Sequence, residues 1–251
     1  MRIVVIGGTG FVGSKLVHTL EEHGHDAVAA APSTGVNTLT GEGVAAVLTG
    51  ADVVVDVSNS PTLDDAALEF FRTATTNLLT AEKAAGVRHH VALSVVGTDR
   101  LAPQSGYFQA KLLQEKLISE GPTPFSIVRA TQFFEFIRTL ADSATEGDVV
   151  RVPPALFQPM AGVDVAEGVA ITAVNEPVNG IVEIGGPEAV LLSDAISTSL
   201  TARGDSRTVI ADPGARYWGI ALEERTLVPA DGATLFDSRL QEWILEAAAK
   251  A

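Results

Sequence analysis

The chain has 251 residues, 46% hydrophobic and 19% charged, which is the composition of a folded chain long enough for a sizeable core. Its 31 acidic against 17 basic residues leave a net charge of −14, so a nucleic acid or an anionic lipid surface would be repelled. The absence of cysteine excludes disulfides, thiolate nucleophiles and cysteine-bound metals together.

The first element is a buried strand, Ile3–Ile6, four β-branched residues that run into glycines. A helix over about 11–23 follows, with Phe11, Val12, Leu16, Val17 and Leu20 at helical spacing and Gly24 as its stop. Ala27–Ala31 is a weaker strand, Asp52–Val57 a clear one, and Asp64–Ala85 a long helix ending at Gly86. Val91–Val95 reads as a strand and Tyr107–Ser119 as a helix closed by Glu120-Gly121-Pro122. Phe125–Val128 and Phe133–Ala144 repeat that pair. Strand and helix alternating in this way predict right-handed crossovers and a parallel α/β sheet covered on both faces.

Beyond about residue 148, prolines punctuate shorter elements. Helices are expected at Val163–Val174, Ser193–Ala202 and Leu240–Ala249, and a strand at Ile181–Ile184. No hydrophilic linker divides the chain. The expectation is one domain, 1–251, with a nucleotide-binding core over 1–148 and a small substrate-binding part over 149–251. No apolar run approaches the roughly 20 residues that cross a bilayer. Ile3–Ile6 meets Gly7 too soon for the core of a signal peptide. A cytoplasmic location with no membrane contact is therefore expected.

The strongest local signal is Gly7-Gly8-Thr9-Gly10-Phe11-Val12-Gly13, between the first strand and the first helix. Gly7 suits a tight turn, Gly10 a close backbone approach to a pyrophosphate, and Gly13 close packing of helix on strand. The helix N-terminus offers N–H groups and partial positive charge to the phosphates. The spacing differs by one residue from the common dinucleotide fingerprint. At the end of the second strand stands Ala31-Pro32-Ser33-Thr34-Gly35, with no carboxylate to hold a ribose 2′-hydroxyl. Ser33 and Thr34 as donors, with Lys15 as a nearby charge, favour a 2′-phosphate, hence NADPH over NADH.

Tyr107 and Lys111 are four apart on a predicted helix and so share a face. A tyrosine ionises near pH 10, and an adjacent ammonium would lower that and also hold a ribose hydroxyl. Ser94, near the end of the Val91–Val95 strand, lies at the sheet edge where ligands bind in open parallel sheets.

The glycine turn, Ser94, and Tyr107 with Lys111 resemble the short-chain dehydrogenase/reductase superfamily. The loop Val128-Arg129-Ala130-Thr131-Gln132-Phe133 and the chain length resemble its atypical, NmrA-like NAD(P)H-binding branch. The resemblance implies a Rossmann-type doubly wound sheet. It implies that Tyr107 transfers a proton, Lys111 holds the nicotinamide ribose and Ser94 orients a substrate. It also implies that Val57, Ser58 and Asn59 line the adenosine and ribose side, and that Thr131, Gln132 and Phe133 border the nicotinamide. One departure is the absence, in Gly35–Gly43, of the acidic adenine contact common among relatives.

Two readings of function stand side by side. One is an NADPH-dependent reductase of a small carbonyl, quinone or enone. The other is a non-catalytic dinucleotide-binding redox sensor acting on a protein partner. A sugar-nucleotide epimerase is a third, for which the C-terminal part is small. A small-molecule substrate is expected, and the choice between monomer and homodimer stays open. Asn77 reads equally as a relay residue or a polar helix face. The five histidines make no ligand pattern, and no metal site is expected. Asp64-Asp65 read as helix N-terminal charges, Phe133, Phe134 and Phe136 as core with a substrate pocket or dimer surface as the alternative, and Tyr217-Trp218 as packing or a substrate-pocket wall.

Overall fold

Four β-branched residues in succession are too apolar for a sheet edge. The strand they form, β1 (Arg2–Ile6), runs between two parallel neighbours. The computed structural model describes residues 1–62 and 64–249. Helix α1 (Phe11–Glu22) buries Val12, Leu16 and Leu20, and β2 (Asp26–Ala30) then pairs along the whole of β1.

From Gly35 to Gly43 the chain makes a closed loop. The Asn37 amide donates to the Glu42 carbonyl (2.8 Å) and the Gly41 amide to the Asn37 carbonyl (2.9 Å). A Cβ on Gly43 would lie 2.1 Å from the Gly35 carbonyl oxygen, so the ends of the loop touch. A short helix, α2 (Val44–Val47), leads to β3 (Val53–Asp56), which pairs with the other side of β1.

Helix α3 (Ala66–Ala85) ends as expected at Gly86, in the left-handed region at φ 73°. Its Asn77 side chain donates to the carbonyls of Thr38 (2.8 Å) and Leu39 (3.1 Å). Asn77 is therefore a tether for the 35–43 loop, and the relay alternative is not what its amide does here. Replacing Asn77 with Ala removes both bonds and is expected to destabilise the fold by about 1–2 kcal/mol, read as a lower urea midpoint with unchanged slope.

Strand β4 (His89–Val95) opens on two buried histidines. His89 shares a hydrogen bond with the Ser126 hydroxyl (2.9 Å) and His90 with the Glu82 carboxylate (2.7 Å). Burial, with the charge of His90 beside it, holds His89 down at about 4. Burial would lower His90 too, but the charge and hydrogen bond of Glu82 outweigh it and raise the group.

After α4 (Thr98–Leu101), helix α5 (Gly106–Ser119) is capped by the Ser105 hydroxyl, which accepts from the Phe108 amide. Ala110 of α5 packs with Ala67 and Phe71 of α3, and Ile118 with Ala92 and Ile127. Strand β5 (Phe125–Ala130) follows.

The chain forms two compact units. The first comprises Met1–Arg129 and Val165–Val182, the second Ala130–Asp164 and the chain from Glu183 onward. The expected core over 1–148 thus overlaps both.

In the second unit the helix expected over Phe133–Ala144 is broken. Phe133 is extended, the Phe134 amide donates to the Met160 carbonyl (2.9 Å), and Phe134–Phe136 makes a 3₁₀ turn. Only α6 (Ile137–Ser143) is α-helical, because pairing with Met160 draws the start of the segment out of the helix. Three short strands follow, β6 (Thr145–Glu146), β7 (Val149–Val152) and β8 (Leu156–Phe157).

Helix α7 (Gly162–Val174) and β9 (Gly180–Gly185) lie close to their expected ranges. Beyond them are β10 (Val190–Leu191), α8 (Leu192–Ala202), β11 (Thr208–Ala211), β12 (Thr234–Leu235) and α9 (Leu240–Ala249). The main sheet has seven strands in the order β12-β9-β5-β4-β3-β1-β2, mostly parallel and flanked by helices: a Rossmann-type α/β fold. Two small sheets, β11-β7-β6 and β10-β8, belong to the second unit. Among the described residues no helix is long and apolar enough to cross a membrane.

Candidate functional site

The glycine turn leaves β1 at Gly7, whose φ of +79° favours glycine and whose added Cβ would lie 2.9 Å from the Ser58 Cα and amide nitrogen. A Cβ on Gly13 would lie 2.1 Å from the Gly7 carbonyl oxygen, so only glycine seats α1 this close to the turn. Gly10 differs: it is exposed, and its Cβ would meet only the Gly7 oxygen, at 3.1 Å. Gly10 caps α1 with no side-chain cap and no acid in the first turn. The helix N-terminus, where Phe11, Val12 and Gly13 stand, is thereby left to an anion. A cradle kept open on one side and tightly packed on the other fits a pyrophosphate.

Beside it, the hydroxyls of Thr9 and Ser33 stand 3.4 Å apart at the tip of β2. The Thr34 hydroxyl is used locally. It accepts from the Ala31 amide (2.9 Å) and lies 3.0 Å from the Ala31 carbonyl, closing the turn Pro32–Thr34. Lys15 folds back over its own helix, 3.3 Å from the Phe11 carbonyl and 4.1 Å from the centre of the Phe11 ring.

At the end of β3, Asp56 is buried, and its Oδ1 accepts from both the amide (2.9 Å) and the hydroxyl (2.6 Å) of Ser58. Val57 and Ser58 are half-buried and Asn59 is exposed. Asn59 Oδ1 accepts from the Ser60 amide (3.0 Å) and from the Tyr107 hydroxyl (3.1 Å). Tyr107 packs edge-on against Phe71 and Phe108. Burial pushes its phenol up to about 12, against a smaller lowering from the Asn59 bond.

Lys111, one turn along α5, points inward. The residue is 3% exposed, and its ammonium donates to the Leu93 carbonyl (2.9 Å) and to Gln114 Oε1 and lies 4.6 Å from the centre of the Phe71 ring. Burial pulls it down to about 8, opposed by the charges of Asp56 and Glu115. Ser94 is also 3% exposed, and its hydroxyl donates to Glu115 Oε1 at 2.5 Å. Glu115 is held in turn by both Nε (3.0 Å) and Nη2 (2.7 Å) of Arg129, which also pairs with Asp99.

Tyr107, Asn59 and Ser58 thus come together near the glycine turn, while Ser94 joins a buried network that pins α5 to β4 and β5. Asp56, Gln114, Glu115 and Arg129 are polar residues of this centre that sequence reasoning passed over. Their one legible signal is that Gln114 and Glu115 follow Lys111 by three and four residues, on its own helical face.

Thr131 and Phe133 lie in the second unit. Thr131 is buried, with its amide on the Ile184 carbonyl (3.0 Å), and Phe133 stacks on Phe136 at 5.6 Å. A groove of about 720 Å³ in the first unit is lined by apolar side chains such as Leu112, Leu113, Phe125, Ile127 and Ile181. It contains none of the residues expected to bind a ligand, so the glycine turn and Tyr107 remain the site.

Residues 7–153 match the family model described as NAD(P)H-binding, and the chain belongs to that family. A nicotinamide dinucleotide is accordingly its cofactor. No match was found among curated proteins. Among solved structures the chain is similar to a short-chain dehydrogenase/reductase superfamily protein from Agrobacterium tumefaciens with bound NAD. The TM-score is 0.76 at 19% identity, covering 100% of this chain and 96% of that one. It is similar to MoeE5 in complex with UDP-glucose and NAD, with TM-score 0.75, 20% identity and coverage of 99% and 98%. It is also similar to the NADPH-dependent quinone oxidoreductase QOR2 from Escherichia coli complexed with NADPH, with TM-score 0.73, 16% identity and coverage of 98% and 99%. These likenesses show the fold, a Rossmann-type α/β fold.

Proposed function

We propose that this chain is an NADPH-dependent oxidoreductase that reduces a small carbonyl, quinone or enone, with Tyr107 as the proton donor. The observation that carries this is the Tyr107 phenol, held on Asn59 at the C-terminal end of a parallel strand, beside the open glycine turn. The bound nicotinamide supplies the hydride. Gly7, Gly10 and Gly13 accommodate the pyrophosphate, Phe11 and Val12 present the helix N-terminus, and Thr9 and Ser33 face the 2′-phosphate. Thr34 shapes the turn that carries Ser33. Val57, Ser58 and Asn59 border the ribose side, and Lys111 serves the nicotinamide ribose. Ser94 acts by holding α5 rather than by touching the substrate.

The test is NADPH oxidation by purified protein across a panel of quinones, aldehydes and enones. Turnover of at least one class supports the reading, and binding with no turnover across the panel rejects it. The second reading, a redox sensor that binds the dinucleotide without catalysis, draws on Ser94 and Lys111 being turned into the interior.

NADPH is expected to bind more tightly than NADH, because the tip of β2 presents hydroxyls and no carboxylate. Calorimetric titration with both measures this, and equal affinities would reverse the assignment. Lys15→Ala is expected to cost NADPH only a few-fold, since its ammonium rests on Phe11.

The pH profile follows from the two shifted groups. Tyr107, up at about 12, keeps its proton through neutrality. Lys111, down at about 8, is charged below that pH and loses its charge above it. The rate of reduction is therefore expected to hold below about pH 8 and fall above it. Lys111→Arg, which stays charged, should lack that falling limb.

A further inference from the structure

The ammonium of Lys111 sits at one end of a chain of hydrogen bonds that runs from α5 through the end of β3 into the loop beyond it. It donates to Gln114 Oε1, Gln114 Nε2 donates to Asp56 Oδ2 (2.9 Å), and Asp56 Oδ1 accepts from the Ser58 amide and hydroxyl. Ser58 is the residue whose backbone packs against Gly7. Every side chain in the middle is buried: Asp56 is 2% exposed, Lys111 3% and Gln114 1%. A glutamine in this place is oriented at both ends, since its carbonyl faces a cation and its amino group a carboxylate. An ammonium so enclosed keeps its proton only through the groups that face it.

We propose that Gln114 and Asp56 are positioning residues for Lys111. They hold its ammonium in a fixed place and, through Ser58, tie it to the glycine turn. The proposal rests on the reading of Lys111 as a cofactor-serving residue only in its functional consequence; the linkage itself is a matter of this chain's own groups. Asp56 faces the ammonium from β3. Glu115 faces it from α5, with its charge shared by Arg129 of β5 and, beyond Arg129, Asp99 of α4. The Phe71 ring faces it from α3. His90 of β4 is coupled to Asp56 in turn. Of these, Asp56 and Gln114 form a route of hydrogen bonds that leads from the lysine to Ser58 beside the glycine turn.

The experiment is a ¹³C NMR titration of the lysine Cε signals. The chain has five lysines, and the Lys111 signal is assigned by its loss in Lys111→Arg. Gln114→Met removes the acceptor, and Asp56→Asn removes the charge. Each should lower the Lys111 midpoint by about one pH unit, a tenfold loss of proton affinity. Gln114→Glu keeps an oxygen on the ammonium, so its midpoint should stay at or above that of the wild type.

A purely space-filling role for Gln114 would instead be satisfied better by Met than by Glu. Unmoved midpoints in Gln114→Met and Asp56→Asn, or a drop in Gln114→Glu equal to that in Gln114→Met, overturn the proposal. NADPH affinity is measured in parallel by calorimetry. Midpoints that move as expected in a protein that does not bind NADPH uphold the linkage and reject the cofactor reading. If NADPH binds, both variants with lowered midpoints should lose several-fold in affinity at pH 8 and less at pH 6.

Discussion

Tyr107→Phe is expected to slow reduction by roughly 100- to 10,000-fold, the usual contribution of a positioned general acid. The substitution deletes one oxygen and keeps the ring, so its edge-on contacts with Phe71 and Phe108 survive. It also removes the 3.1 Å bond to Asn59, which retains the Ser60 amide as a partner and is exposed to water. The dissociation constant for NADPH should therefore hardly change, and the loss should fall on kcat. A wild-type rate in this variant would assign the proton to water. The phenol stands up at about 12, because burial dominates and the Lys111 ammonium is engaged elsewhere. It is suited to donate a proton during reduction. The reverse oxidation, which needs the phenolate, should be slow near neutrality, and in Lys111→Arg, whose cation persists, it should rise toward alkaline pH.

Gly10→Val is expected to weaken dinucleotide binding by at least about 100-fold, or about 2.7 kcal/mol, while leaving the melting temperature close to wild type. The new Cβ meets only one backbone oxygen, at 3.1 Å, and the rest of the side chain projects into the opening above the helix N-terminus. Gly13→Val makes the contrasting case. Its Cβ would overlap the Gly7 carbonyl at 2.1 Å, so this variant should lose stability before it loses anything else. Calorimetry for binding and thermal melting for stability separate the two. A Gly10→Val protein that is folded and still binds NADPH would place the dinucleotide off this turn.

The parts of this fold that could be read from sequence are those whose signal is local. Ile3–Ile6, the 11–23 helix and Gly86 as a helix stop announce themselves by β-branching, helical spacing and a left-handed glycine. Strands such as β8, β10 and β12, two residues each, were not legible because their existence is decided by their partners. The same holds for Phe133, drawn out of a helical pattern by its pairing with Met160.

In the site, spacing correctly put Tyr107 and Lys111 on one helix. It could not say that the lysine would turn to Gln114 and Leu93, because that choice depends on Asp56, 55 residues earlier in the chain. Ser94 shows the same limit. Its strand is legible, but the carboxylate that takes its hydroxyl comes from Glu115 of α5, 21 residues later in the chain.

The loop from Gly35 to Gly43 bears on how this protein can be altered at will. Its ends already touch, and Asn77 grips it at Thr38 and Leu39, on the near side of its outer arm. A peptide spliced between the exposed residues Thr40 and Gly41 would leave and return at one point, with β2 and β3 undisturbed on either side of β1. Closure entropy rises by only about 0.6 kcal/mol for each doubling of such a loop. Nature and the engineer are offered the same opening: a hinge-free socket in which a reporter dye, an epitope or a second domain can be seated without refolding the sheet that carries it.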